Sequence, residues 1–138
     1  MNSSIIIIFL AITLAAVLGQ DHGPGSEEFK KVADECKSKL NASDDDMKFM
    51  MNRSAPTSRT AQCLMACIKK GIGCMNPDNT MNVDNTKKHM EGMKENKKEM
   101  YDKVVKSLTE CKALETPETD ECAAEKKFAD CMMSKRDT

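Results

Sequence analysis

The stretch Cys63-Leu64-Met65-Ala66-Cys67-Ile68-Lys69-Lys70-Gly71-Ile72-Gly73-Cys74-Met75 decides how this chain folds. Cys63 and Cys67 stand four residues apart, so on a helix they share one face, one turn above the other. Stacked that way they are poorly placed to bridge each other, whereas each can reach a different neighbouring helix. Leu64, Met65, Ile68 and Ile72 broaden the same surface into an apolar one. The expectation is a central helix tied to two others, with an apolar space beside it.

A cysteine-based scaffold requires an oxidising compartment, and the N-terminus points to one. Residues 5–18 form an apolar run, with no charge before Asp21. The run is shorter than the roughly 18–20 residues that span a bilayer. Val17 and Gly19 suit the −3 and −1 positions of a signal-peptidase site, although the n-region lacks Lys and Arg. Residues 1–19 read as a secretory signal and residues 20–138 as one mature domain. The alternative is an uncleaved anchor.

The formal net charge is −1. That balance argues against nucleic acid, which calls for a basic face, and against membrane insertion by a basic amphipathic helix. All seven cysteines fall after the signal: Cys36, Cys63, Cys67, Cys74, Cys111, Cys122 and Cys131. Zinc prefers Cys-x2-Cys pairs or clustered histidines, and the only histidines are His22 and His89. No metal and no cofactor is expected. An Asn/Asp-rich stretch around residues 76–87 resembles a calcium loop only superficially, because Met81 and Lys87 stand where that loop needs Gly and Glu.

Six helices are expected. Ser26 caps the first, which carries Phe29, Val32, Ala33, Cys36 and Leu40 at helical spacing and ends at Asn41. Ser43, with Asp46 in the capping-box position, starts the second, which presents Met47, Phe49, Met50 and Met51. Thr57 or Ser58 starts the third, and Gly71 and Gly73 stop it. Residues 76–79 form a turn. Asp84 caps the fourth, running to about Met93, with Met90 and Met93 on one side. Asn96 and Glu99 open the fifth, whose buried stripe is Met100, Val104, Leu108 and Cys111, flanked by Tyr101 and Val105. Thr116, Pro117 and Glu118 open the sixth, with Cys122, Phe128, Cys131 and Met132 inward. No segment alternates apolar and polar as a strand would, so the mature chain reads as all-α.

With Cys74 set aside, the cysteines read Cys36-x26-Cys63-x3-Cys67-x43-Cys111-x10-Cys122-x8-Cys131. This pattern resembles the insect odorant-binding proteins of the pheromone-binding and general odorant-binding type, from about Glu27 to Met132. Three residues between the second and third cysteines, and eight between the fifth and sixth, are that family's signature. Sequence alone leaves fifteen pairings for six cysteines. The resemblance implies Cys36–Cys67, Cys63–Cys122 and Cys111–Cys131. It further implies a compact disulfide-stapled shell around an apolar ligand cavity, with small hydrophobic molecules and an odorant receptor as partners. An equally consistent role is a non-olfactory carrier or effector in venom, saliva or seminal fluid.

Candidate cavity-lining residues are Phe29 and Val32 of the first helix, Phe49 and Met50 of the second, and Leu64, Met65, Ile68 and Ile72 of the third. Met90 and Met93 of the fourth follow, then Met100, Tyr101, Val104 and Leu108 of the fifth, and Phe128 and Met132 of the sixth. All but Met1 of the twelve methionines lie after the signal, and the chain has no Trp. A methionine-rich, aromatic-poor interior adapts to aliphatic ligands such as alcohols, aldehydes, esters or terpenoids; ordinary core filling is the competing reading for each position. Tyr101 offers either a hydrogen bond to a ligand or a hydroxyl to solvent. His89 stands beside Lys87 and Lys88 and is either a pH-sensitive release element or an exposed side chain. No catalytic residue is expected, since neither histidine has an evident nucleophile partner.

Cys74 is left over: a free thiol, buried or exposed, or an intermolecular bridge that would convert a monomer into a dimer. Asn41-Ala42-Ser43 and Asn52-Arg53-Ser54 fit the N-glycosylation sequon.

Overall fold

The computed structural model describes residues 27–51 and 54–136. The expected signal at residues 1–19, the Ser26 cap, the side chain of Met50 and the sequon at Asn52 lie outside what is described. The helices are α1 (Glu27–Lys39), a 3-10 turn (Asp45–Met47) running into α2 (Lys48–Met51), α3 (Arg59–Gly71), α4 (Val83–His89), α5 (Glu91–Asn96), α6 (Lys98–Ala113) and α7 (Glu121–Arg136). The six expected helices are all present, the fourth being broken at Met90 into α4 and α5. Among the described residues the only extended pairing is an isolated bridge between Met75 and Met81, so the domain is all-α.

Helix ends follow from local chemistry. Asn41 takes a φ of 53°, which lets the Ala42 N–H donate to the Lys37 carbonyl at 2.9 Å and the Asn41 N–H to Ser38 at 3.2 Å. That is a Schellman stop for α1. Gly73, at φ 83°, repeats it for α3, with Cys74 N–H donating to the Lys69 carbonyl at 2.7 Å and Gly73 N–H to Lys70 at 3.2 Å. Ser43 and Asp46 form the reciprocal capping box: the Ser43 N–H donates to the Asp46 carboxylate at 2.8 Å, and the Asp46 N–H to the Ser43 hydroxyl at 3.2 Å. Ser58 caps α3 by accepting from Ala61 N–H at 3.0 Å.

Three starts differ from expectation. Asn82, not Asp84, caps α4, accepting from Asn85 N–H at 2.9 Å; the neighbouring Met81 is buried, which anchors the chain two residues earlier. Asn96 does not cap α6. Its amide donates back to the Gly92 carbonyl at 3.1 Å, and Lys97 precedes α6 without a side-chain cap. Asp120 replaces Thr116 at the head of α7, accepting from Cys122 N–H at 2.9 Å and Ala123 N–H at 3.4 Å. Pro117 therefore sits in a loop. That loop is tied elsewhere, since the Glu118 carbonyl accepts from Asn79 Nδ2 at 2.8 Å and its carboxylate pairs with Lys127 at 2.8 Å.

α3 runs between two apolar clusters. On one side Leu64 and Ile68, four apart and both fully buried, pack with Ala33 and Cys36 of α1. On the other, Ala66 joins Met75, Met81, Leu108, Cys111 and Phe128. Gly71 lets α1 come close, because a Cβ there would collide with Val32. Disulfides Cys36–Cys67 and Cys63–Cys122, with Cα separations of 5.9 and 4.4 Å, tie α3 to α1 and to α7. Cys111–Cys131, at 5.9 Å, ties α6 to α7. Met100 departs from its expected stripe: it is 44% exposed, and Tyr101 is buried instead. Steps of four advance about 40° each around a helix, so the first member of a stripe spaced four and four drifts off the inner face.

Cys74 is free and 5% exposed, and its burial pushes the thiol pKa up. A protein at neutral pH should therefore show no labelling by a thiol reagent when native and one labelled thiol, Cys74, when unfolded without reductant. Rapid native labelling would contradict this placement. Gly73→Ala should lower stability by more than about 1 kcal/mol, since alanine resists positive φ and its Cβ would meet Asn85 Nδ2; an unchanged urea midpoint would contradict the Schellman stop.

Candidate ligand-binding site

Side chains four apart on α3 and three, four and seven apart on α7 converge on one apolar pocket. Met65 and Lys69 come from α3; Glu125, Phe128, Ala129, Met132 and Met133 come from α7. Phe49 of α2 and residues 54–56 close a third side, and the pocket has a volume of about 180 Å³, open to solvent on one face. The third side is held by two bonds to backbone carbonyls: Ser54 N–H donates to the Phe49 carbonyl at 3.0 Å, and the Gln62 side-chain Nε2 donates to the Pro56 carbonyl at 3.4 Å. The disulfide from Cys63 to Cys122 holds α3 against α7 above the pocket.

One polar feature stands in this apolar wall. Lys69 Nζ donates to Glu125 Oε1 at 2.7 Å and lies 5.2 Å from the centroid of the Phe128 ring. Glu125 is 2% exposed and Lys69 18%. The two other ion pairs along this helix seam, Arg59–Asp120 at 2.9 Å and Lys70–Glu121 at 2.8 Å, are more exposed and contribute little. The Arg59 guanidinium bonded to Asp120 holds that carboxyl below its usual value, with help from the backbone N–H groups it caps.

Of the candidate lining residues, the structure brings Phe49, Met65, Phe128 and Met132 together around this pocket. Leu64 and Ile68 go instead into the α1–α3 core, with Phe29 and Val32 packed against them. Leu108 is core in the second cluster, flanked by Met90 and Val104. Ile72 ends α3, its carbonyl accepting from Asn85 Nδ2 at 3.0 Å and lying 3.1 Å from His89 Nε2. His89 is thus half-buried against backbone. Met93 is half-buried and Met100 exposed, and neither lines this pocket. Tyr101 is buried, with Lys94 Nζ 6.0 Å from its ring centroid.

A smaller space of about 110 Å³ lies against Phe128, bounded by Asn79, Cys111, Leu114 and Glu118 among others. Asn79 Oδ1 is buried there without a hydrogen-bond partner among the described residues. No group of three or more His, Cys, Asp or Glu side chains among the described residues could hold a metal ion. No described helix is long and apolar enough to cross a membrane. Asn41 of the first sequon is exposed.

The Lys69–Glu125 pair is the feature that the sequence reading missed. Its signal was nonetheless present: Glu125 falls on the α7 stripe that also carries Cys122, Phe128 and Met132, and a carboxylate at a buried position needs a partner.

The fold matches odorant-binding protein dmelOBP28a from Drosophila melanogaster with a TM-score of 0.65 at 19% identity, covering 78% of this chain and 88% of that one. It also matches a pheromone binding protein from the cockroach Leucophaea maderae, solved in complex with the fluorescent reporter ANS, with a TM-score of 0.60 at 26% identity over 78% and 92% of the two chains. General odorant-binding protein 19d of Drosophila melanogaster is 29% identical over 102 residues, 74% of this chain and 67% of that protein. The PBP/GOBP family model matches residues 24–135, and with the three disulfides and the helical shell in place, the chain belongs to the PBP/GOBP family.

Proposed function

We propose that this protein is a secreted, non-enzymatic carrier that holds one small apolar molecule in the pocket between α2, α3 and α7. The reading extends to transport of that molecule through aqueous fluid toward a receptor. The observation that carries it is the convergence of Phe49, Met65, Phe128 and Met132 on one apolar space in a chain of the PBP/GOBP family. Thioether and aromatic walls suit flexible aliphatic guests, because methionine adapts its shape at little cost. The cockroach relative's complex with ANS supports a bound hydrophobic molecule in a shell of this fold.

Secretion follows in this reading from the signal segment at residues 1–19, with residues 20–138 as the functional domain. The non-enzymatic part of the reading is supported by the odorant-binding proteins this chain resembles. The buried Cys74 favours a monomer over a disulfide-linked dimer. Exposed Asn41 is available for a glycan.

Oxidised protein covering residues 20–138 should enhance ANS fluorescence saturably, at one site, and aliphatic alcohols or aldehydes should displace the reporter. The paired substitution Met65→Glu and Met132→Glu should weaken reporter binding by about tenfold or more, because a ligand then desolvates two charges. Absence of saturable binding by the oxidised parent would defeat the carrier reading. Unchanged binding by the folded variant would move the site elsewhere.

A further inference from the structure

We propose that the Lys69–Glu125 pair is the polar anchor of this pocket and that it selects a hydroxyl-bearing guest, an aliphatic alcohol, over carbonyl, ether or carboxylate analogues. This inference rests on the carrier reading of the same pocket. Among the described residues the pair is the only charged group in the pocket lining, which is otherwise apolar apart from the rim at Ser54. Its ammonium has three N–H donors; one is given to Glu125 Oε1 at 2.7 Å, and the ring of Phe128 lies 5.2 Å away. Its carboxylate has room for about four accepted bonds, and the described hydrogen bonding to Glu125 is the one from Lys69. A donor and an acceptor with spare capacity therefore lie side by side at the wall.

A hydroxyl complements both at once, accepting from Lys69 and donating to Glu125. An aldehyde or ether uses Lys69 alone and leaves the 2%-exposed Glu125 further desolvated. A carboxylate guest meets Glu125 as a like charge in a low-dielectric setting. An unbranched hydrocarbon covers both groups and satisfies neither, which is the costly case.

The test is displacement of ANS by a series of equal chain length: a primary alkanol, the aldehyde, the methyl ether and the alkanoate. The alkanol should bind about ten- to a hundredfold more tightly than the ether, the range expected for one hydrogen bond to a charged group. In the double variant Lys69→Met with Glu125→Met, an apolar replacement of a type that buried pairs often tolerate, the alkanol and ether should bind alike. Glu125→Gln provides a near-isosteric second variant, in which the alkanol-to-aldehyde ratio should fall toward one because an amide also donates to a carbonyl. Equal affinities across the series in the parent, tightest binding of the alkanoate, an alkanol-over-ether preference that survives in the folded double variant, or an unchanged alkanol-to-aldehyde ratio in folded Glu125→Gln would overturn the anchor. Failure of every member to displace a bound reporter would overturn the carrier reading, and the anchor with it.

Discussion

The fold depends on one helix being held from two sides. Cys63 and Cys67, one turn apart on α3, leave toward different partners, Cys122 of α7 and Cys36 of α1. In the chain-entropy model a loop of this size stabilises the fold by roughly 3–4 kcal/mol, an upper value for each bridge. The need is physical. A chain of about 140 residues buries only around two-thirds of its surface, and this one has no Trp and four Phe. Covalent ties let α3 keep fully buried Leu64 and Ile68 toward α1 while its Met65–Lys69 edge borders a pocket.

The pocket is a consequence of that arrangement. With α3 pinned to α7 at Cys122, the α7 residues at Glu125, Phe128 and Met132 fall opposite Met65 and Lys69. A buried ion pair within this seam does not add stability cheaply; an apolar pair of equal shape often does as well. Removing one partner alone would cost about 3–5 kcal/mol, since the other charge would be left uncompensated. A pair of this kind at the wall of an otherwise apolar space is more readily understood as a means of discrimination among guests than as a staple duplicating the disulfide beside it.

Much of this architecture was legible in the sequence, for identifiable reasons. Stops and caps with unambiguous local chemistry were readable: Asn41, the Ser43–Asp46 box, Ser58 and Gly73 each act through bonds to their own neighbours. Starts governed by tertiary contacts were not. Thr116-Pro117-Glu118 is the better helix signal in isolation, yet Glu118 is drawn to Asn79 and Lys127, and Asp120 takes the cap. Met100 was misplaced for a geometric reason, the drift of a four-residue step. At the site, periodicity identifies which residues turn inward but not which of two inner faces they occupy, so Leu64 and Ile68, expected at the cavity wall, pack instead in the α1–α3 core. Glu125 was overlooked because apolar patterning is blind to a charge that finds its partner 56 residues away.

The fold stands or falls on where Cys63 goes. Mass spectrometry of non-reduced peptides from the secreted protein measures this directly. A Cys63–Cys122 linked peptide and a Cys36–Cys67 linked peptide are expected, with Cys74 recovered as a free thiol. A Cys63–Cys67 bridge within α3, or Cys74 in any bridge, would contradict it.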